Sequence, residues 1–78
     1  MTTPENIRQY IEAGMACDHV EVSGDGHHFE AIIVSGAFRG KRKVQQHQLV
    51  YQALGDRMRE EIHALSMQTL TPEEWAAR

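Results

Sequence analysis

Apolar side chains recur along this chain with two different periods, and the change of period marks where the predicted elements begin and end. Residues 7–15 carry apolar side chains at helical spacing, with Thr3 placed to cap the helix and Pro4 at its first position. From His19 to Ser23 apolar residues alternate with polar ones, which is the period of a half-buried strand. The chain is therefore predicted to start with a helix followed by a strand.

A tight hairpin is predicted directly after that strand. The run Gly24-Asp25-Gly26 is typical of a short turn between two strands. Residues 29–35, which are rich in β-branched side chains, are predicted to be the returning strand. Strands joined by so short a turn are antiparallel neighbours.

A long amphipathic helix is predicted after the hairpin. It begins near Lys41, and the Gly55-Asp56 pair is expected to kink or split it. Its apolar positions recur at spacings of three and four residues, which places them on one face, and we expect this face to lie against the core. The members of the face are Val44, His47, Tyr51, Leu54 and Met58.

The last part of the chain is predicted to be a strand and a short helix. Residues 62–70 alternate imperfectly and are interpreted as a third strand. Thr71 follows, with Pro72 at the first helical position and Glu74 in the Thr-x-x-Glu spacing of a capping box. The helix that begins there is expected to pack Trp75 against the sheet.

The order of these elements is α-β-β-α-(α)-β-α, which predicts an α+β fold with a three-stranded mixed sheet and helices packed on one face. The second strand, the long helix and the third strand form a β-α-β unit, and the strands of such a unit are parallel. Parallel strands start at the same end of a sheet. We therefore expect His63, at the start of the third strand, to lie near His27 and His28 in the hairpin loop.

Size and cysteine content narrow the class of protein. Seventy-eight residues suffice for one small domain, so residues 1–78 are predicted to form a single unit. Cys17 is the only cysteine, which excludes an internal disulfide and fits a reducing, cytoplasmic compartment. No apolar run has the length of a membrane-spanning helix and the N-terminus lacks a signal-peptide pattern, so we expect a soluble protein without membrane contact.

The charge is distributed unevenly. A net charge of −3 argues against a general binder of phosphate backbones. Half of the eight basic residues nevertheless lie within residues 39–43, which we call the basic segment. The basic segment is interpreted either as a solvated helix start without a binding role, or as a nucleic-acid contact, or as a contact with an acidic partner surface. Its charged members are Arg39, Lys41, Arg42 and Lys43.

The chain has no pattern typical of an enzyme, and we predict that it is not one. It contains no nucleophile beside a base, no phosphate-binding glycine loop and no carboxylate pair at a useful spacing. Redox catalysis would need a low-pKa cysteine in a Cys-x-x-Cys or equivalent site, and Cys17 is alone. We interpret Cys17 as a small buried residue.

The histidines are the remaining candidates for chemistry, because imidazole is a competent iron ligand. From the residues alone, His63 is either a half-buried strand histidine or a ligand. His27 and His28 are either solvated loop residues or ligands, and the choice between them stays open. His47 lies on the predicted apolar face of the long helix, which makes it a core or groove residue or a partner contact.

Five segments resemble the BolA family in order and spacing, and together they cover nearly all of the chain. The match is most similar to a short bacterial branch of that family. The segments are Val20-x-Val22-Ser23-Gly24-Asp25-Gly26-x-His28-Phe29, Val34-Ser35-x-x-Phe38-x-Gly40, His47-x-x-Val50-Tyr51-x-x-Leu54, Ile62-His63-Ala64-Leu65 and Thr71-Pro72-x-Glu74-Trp75.

The resemblance implies a fold similar to the class II KH domain and a partnership with a monothiol glutaredoxin. The two proteins would share a 2Fe-2S cluster used in iron–sulfur trafficking or in iron and stress regulation. In that arrangement this chain supplies His63 and a histidine of the hairpin loop, and the glutaredoxin supplies its active-site cysteine and a bound glutathione. The isolated chain is then expected to be a monomer without a cofactor, and the complex a heterodimer.

The chain departs from the family in the long helix. Where relatives often carry Arg-His-Arg, it has Gln46-His47-Gln48, so two charges and any partner contact through them are missing. The family is also linked to transcription, and the alternative function is a nucleic-acid-binding regulator that uses the KH-like fold and the basic segment. A KH site needs a Gly-x-x-Gly loop, whereas three residues separate the nearest glycines, Gly36 and Gly40.

Overall fold

Four α-helices, three strands and one 3₁₀ turn form the fold within residues 2–78, the part of the chain that the computed structural model describes. Their order confirms the predicted α-β-β-α-(α)-β-α pattern. Among these residues, no helix combines the length and the apolar character that crossing a membrane requires. In chain order the elements are α1 (Pro4–Gly14), β1 (His19–Gly24), β2 (His28–Val34), the 3₁₀ turn (Gly36–Phe38), α2 (Lys43–Leu54), α3 (Arg57–Glu60), β3 (Ala64–Leu70) and α4 (Pro72–Ala76).

One mixed three-stranded sheet organises these elements, with β2 between β1 and β3. β1 and β2 are antiparallel, whereas β2 and β3 are parallel with His28 opposite Ala64. Both predicted pairings are confirmed, although β3 starts at Ala64 rather than at residue 62. Because β3 pairs directly with β2, the loop of residues 25–27 and His63 lie at the same end of the sheet, which we call the hairpin end.

α1 and α2 cover one face of the sheet and form the core with it. In β2, Phe29 and Ile33 are buried in this core, while Glu30 between them is exposed. Ile7 and Ile11 of α1 are fully buried in the same cluster. This alternation along the strand and the helical spacing in α1 are the patterns from which the core was predicted.

The buried face of α2 differs from the predicted one. Val44 is 60 % exposed and Tyr51 is 41 % exposed, so the predicted face is wrong over the first two turns of the helix. The residues that face the core are Gln46, Val50 and Leu54, which are spaced four apart. Of the predicted face, Leu54 is buried in the core and Met58, in the following helix α3, packs against it.

Gln46 is the reason for this difference, because a glutamine occupies a core position. Its Nε2 donates to the carbonyl oxygens of Phe38 at 3.2 Å and Lys41 at 2.9 Å. Its Oε1 accepts from the Thr69 hydroxyl at 2.6 Å. A side chain whose polar atoms are bonded in this way can be buried at little cost. Gln46 is therefore an internal residue.

Glycines set the ends of α2. Gly40, with a φ of +75°, lies between the 3₁₀ turn, which was not predicted, and α2. α2 begins at Lys43 and not near Lys41 as predicted. Gly55, with a φ of +60°, ends α2 and separates it from α3, which confirms the predicted break. Both backbone conformations favour glycine, because a Cβ makes them strained.

α4 packs differently from the other helices. Thr71 and Glu74 form the predicted reciprocal capping box, with side-chain to backbone distances of 3.1 and 2.8 Å. Trp75 stacks on His19 with ring centres 4.8 Å apart. Because His19 alternates with the buried Val20, it lies on the sheet face opposite the core. The prediction that helices pack on one face is correct for α1 and α2 and wrong for the Trp75 end of α4.

Candidate metal-ligand and partner site

The loop at the hairpin end is held by one aspartate. Asp25 Oδ1 accepts hydrogen bonds from the backbone N–H groups of His27 and His28, each at 2.9 Å. The Asp25 N–H donates to the carbonyl of His28 at 3.2 Å, which closes the loop. The donated hydrogen bonds from His28 and His27 also hold the pKa of the Asp25 carboxyl below its ordinary value, because they favour the charged form. The loop is thus a locally ordered turn although its side chains are exposed.

The sheet register brings His27 and His63 together. His28 in β2 pairs with Ala64 in β3. His27 and His63, the residues that precede these two strands, are therefore the next neighbours across the sheet. Their ring centres lie 6.2 Å apart with an interplanar angle of 86°. Both residues are exposed, so a partner protein can reach the pair directly.

The side chain of His28 does not point toward the His27–His63 pair. Successive side chains of a strand point to opposite faces of a sheet, and Phe29 points into the core. His28 therefore lies on the open face, where it lines a cavity of about 420 Å³ with Glu30 and Ser66. The structure thus brings His63 together with His27, and it does not bring His28 to the same side.

The spacing of the two imidazoles suits the binding of one metal ion by both rings. An imidazole nitrogen binds a metal ion at about 2.1 Å, so two rings on one ion have centres about 5–6 Å apart. The observed 6.2 Å is close to this range. Within residues 2–78, no group of three or more His, Cys, Asp or Glu side chains is arranged to hold a metal ion. The pair therefore offers two nitrogen donors at the hairpin end of the sheet.

The basic segment is partly engaged within the chain. Arg39 forms a two-pronged ion pair with Glu73, at 2.8 and 2.6 Å, which lowers the pKa of the Glu73 carboxyl. The Lys43 ammonium donates to the carbonyl oxygen of Thr69. Lys41 and Arg42 are exposed, and no ion pair involves them among the described residues. Half of the predicted basic surface is thus committed to internal contacts.

The basic segment also lies far from the histidine pair. Lys43 contacts Thr69 near the end of β3, whereas His63 immediately precedes its start. A strand rises about 3.3 Å per residue, which puts roughly 20 Å between the two regions. His47, in α2, is half-buried and is absent from the hydrophobic core. The structure therefore places the predicted ligands and the predicted basic contacts in separate regions.

Cys17 lies at the end of β1 that is remote from the hairpin loop. The thiol is half-buried against the core, and its Sγ lies 3.6 Å from the carbonyl oxygen of Met15. Burial, with smaller contributions from Glu12 and Asp18, raises the pKa of the Cys17 thiol to about 11. A protonated, half-buried thiol agrees with the interpretation of Cys17 as a packing residue.

Sequence reasoning missed the part played by Asp25. The Gly24-Asp25-Gly26 run was interpreted only as a turn signal, although an aspartate that begins a loop commonly accepts hydrogen bonds from the N–H groups two and three residues later. That signal was present in the sequence. It would have indicated an ordered loop before the structure was known.

Topology and site together define a small α+β protein with a mixed sheet and an exposed histidine pair at one end. A protein-family model described as "BolA-like protein" matches residues 4–74. The chain belongs to the BolA-like family.

Named relatives and solved structures agree with this membership. The chain is 45 % identical over 60 residues to the "DNA-binding transcriptional regulator BolA" of Haemophilus influenzae. This alignment covers 77 % of the chain and 58 % of that protein. The chain is 38 % identical over 71 residues to the "Acid stress protein IbaG" of Escherichia coli K12, and this alignment covers 90 % of the chain and 84 % of that protein. A BolA homologue from Coxiella burnetii superposes with a TM-score of 0.85 at 44 % identity, over 97 % of this chain and 99 % of that one.

Proposed function

We propose that this chain is a non-enzymatic accessory protein that binds a monothiol glutaredoxin and shares a 2Fe-2S cluster with it, in iron–sulfur trafficking or in iron and stress regulation. The observation that carries the proposal is the exposed pair of His27 and His63, whose ring centres lie 6.2 Å apart. His63 and His27 are the proposed ligands from this chain. The chain is proposed to be a monomer alone and a heterodimer with its partner.

Each histidine has a distinct structural support. His63 is held by the start of β3, which is paired along its whole length with the central strand. His27 is held by the loop hydrogen bonds to Asp25. Both imidazoles must be neutral at the coordinating nitrogen to bind a metal. A cluster bound by two imidazoles has a raised reduction potential compared with one bound by thiolates alone.

The partner supplies what the chain lacks. The family resemblance implies a glutaredoxin cysteine and a glutathione thiolate as the other two ligands. One of the two bacterial relatives is named a DNA-binding transcriptional regulator and the other an acid stress protein, and neither name describes an enzyme. They support an accessory or regulatory role for this chain.

Anaerobic reconstitution with a monothiol glutaredoxin, glutathione, iron and sulfide tests the proposal. The wild-type mixture should give a visible circular dichroism spectrum distinct from that of the glutaredoxin homodimer. The spectrum should be lost or altered with His63→Ala and retained with the control His19→Ala, which removes a histidine from the end of β1 remote from the hairpin loop. A mixture that gives only the homodimer spectrum, or a His63→Ala spectrum identical to the wild type, would overturn the proposal.

Nucleic-acid binding is the second candidate function. The observation that favours it is the name of the Haemophilus influenzae relative, a DNA-binding transcriptional regulator. The engagement of Arg39 with Glu73 and of Lys43 with Thr69 weighs against it, because these cations would have to leave internal partners to reach phosphates. A site of this kind would depend mainly on Lys41 and Arg42.

Salt dependence separates this candidate from the first. Two phosphate contacts would give a slope of about −2 in a plot of log affinity against log salt concentration. Binding through the basic segment should fall with Lys41→Glu and with Arg42→Glu, and should be unchanged by His63→Ala. If neither charge reversal changes the affinity for nucleic acid, the basic segment is excluded as a nucleic-acid contact.

A further inference from the structure

The hairpin loop carries two adjacent histidines, and only one of them faces His63. His28 is the first residue of β2, and its pairing with Ala64 holds it on the open face of the sheet. His27 precedes the strand and lies in the loop. The position of the His27 ring beside His63 therefore depends on what holds the loop.

Asp25 contributes side-chain contacts that hold the loop at His27. One carboxylate oxygen accepts from both backbone N–H groups that follow, at His27 and His28, each at 2.9 Å. Hydrogen bonds from N–H groups to a carboxylate are charge-assisted and stronger than neutral ones. Two such bonds to one oxygen fix the orientation of both peptide units relative to Asp25.

Apart from the closing hydrogen bond from the Asp25 N–H to the His28 carbonyl and the sheet pairing of His28, the loop has few other restraints. Gly24 and Gly26 flank Asp25 with φ values of +156° and +102°, a region that glycine enters freely. Both histidine side chains are exposed, so packing does not hold them. No side chain other than Asp25 bonds to the backbone of His27 or His28 among the described residues.

We infer that Asp25 is a positioning residue that holds His27 beside His63 as the second ligand of the site. Asp25 acts through hydrogen bonds to the backbone and does not touch the ligand rings in this arrangement. The consequence for cluster binding rests on the proposed function, whereas the effect on the histidine pair is a property of the chain alone. The two can therefore be tested separately.

The metal-free protein gives the direct test. In the wild type, nuclear magnetic resonance should show a nuclear Overhauser effect between the ring protons of His27 and His63. Asp25→Ala should lose this effect because both backbone hydrogen bonds are removed. Asp25→Asn should keep it, because the amide oxygen remains an acceptor of the same geometry. Asp56→Ala is the matched control, since Asp56 at the start of α3 makes no side-chain cap hydrogen bond.

A Zn²⁺ titration of the same four proteins adds a binding measurement that needs no glutaredoxin. Zn²⁺ binding that shifts the His27 and His63 ring signals together should weaken about three- to tenfold in Asp25→Ala, because the pair is no longer held in place before binding. Asp25→Asn and Asp56→Ala should bind like the wild type. His27→Ala sets the affinity that His63 has alone.

The outcomes separate the two proposals. A ring contact and a Zn²⁺ affinity that survive in Asp25→Ala would overturn the positioning role, and so would their loss in Asp25→Asn. A wild-type protein without the ring contact would overturn it as well. Failure of the glutaredoxin reconstitution with an intact ring contact would instead refute the proposed function and leave the role of Asp25 supported.

Discussion

At the scale of single residues, Gln46 shows how a polar side chain becomes part of a core. It is 4 % exposed, and it joins the turn before α2, α2 itself and the distant strand β3. Thr69, its partner on β3, is 1 % exposed. The network therefore fixes the entry of α2 against the edge of the sheet.

Gln46→Ala is expected to destabilise the fold by about 1–3 kcal/mol, because it leaves the Thr69 hydroxyl and two backbone carbonyls without their partner. Gln48→Ala removes the same side chain from an exposed position of the same helix and should change stability by less than about 0.5 kcal/mol. Urea unfolding of the two variants measures the difference. Equal midpoints would show that the buried network contributes nothing.

Cys17 gives a second prediction at this scale. With its pKa raised to about 11, the thiol is almost entirely protonated at pH 8. Compared with an ordinary thiol of pKa about 8.5, its alkylation by iodoacetamide should be roughly 100-fold slower at this pH. The rate should keep rising as the pH approaches 11, and unfolding in urea should restore the ordinary rate. A native rate at pH 8 equal to that of glutathione would contradict the assignment.

At the scale of the elements, the close approach of α1 and α2 explains a glycine in a helix. Gly14 is the last residue of α1, and an added Cβ would lie 2.6 Å from the backbone oxygen of Ala53 in α2. Backbone atoms of a packed helix cannot move aside cheaply. The absence of a Cβ at Gly14 therefore permits the helix pair to pack this closely.

Gly14→Ala therefore sets two effects against each other. Helix propensity alone would stabilise the variant by up to about 1 kcal/mol. Overpacking against Ala53 should cost about 1–3 kcal/mol and outweigh this gain. The reverse substitution at the exposed neighbour, Ala13→Gly, isolates the propensity effect in the same turn. Thermal unfolding that shows Gly14→Ala to be more stable than the wild type would refute the close approach.

The elements also show where sequence reasoning succeeds. The hairpin, the β-α-β unit, the break at Gly55 and the capping box at Thr71 follow from local signals with strong physical causes, and all are confirmed. The parallel pairing then placed His63 beside the hairpin loop without further information. These features need only the periodicity of side chains and the conformations that glycine and proline favour.

The remaining features depend on contacts that a linear pattern does not contain. The buried face of α2 could not be predicted, because the burial of Gln46 depends on carbonyls and a hydroxyl contributed by other segments. The choice between His27 and His28 was open for a similar reason. It depends on the pairing of β2 with β3, which turns His28 to the open face, and on the loop that brings His27 beside His63.

At the scale of the whole molecule, two functional candidates occupy different regions. The histidine pair lies at the hairpin end of the sheet, and the basic segment lies beside the far end of β3. A partner bound at the hairpin end would leave Lys41 and Arg42 uncovered unless it extended along the sheet. The arrangement allows variants at one region to be tested without altering the other.

Pulsed electron paramagnetic resonance of the reduced heterocomplex tests the central claim most directly, because it detects the nitrogen ligands themselves. This chain would be labelled with ¹⁵N-histidine and combined with unlabelled glutaredoxin. The wild type and His28→Ala should show strong coupling to two ¹⁵N nuclei, and His27→Ala and His63→Ala should show one or lose the cluster. A wild-type complex whose cluster couples to no ¹⁵N nucleus, or a two-nucleus signal that survives His63→Ala, would contradict the account.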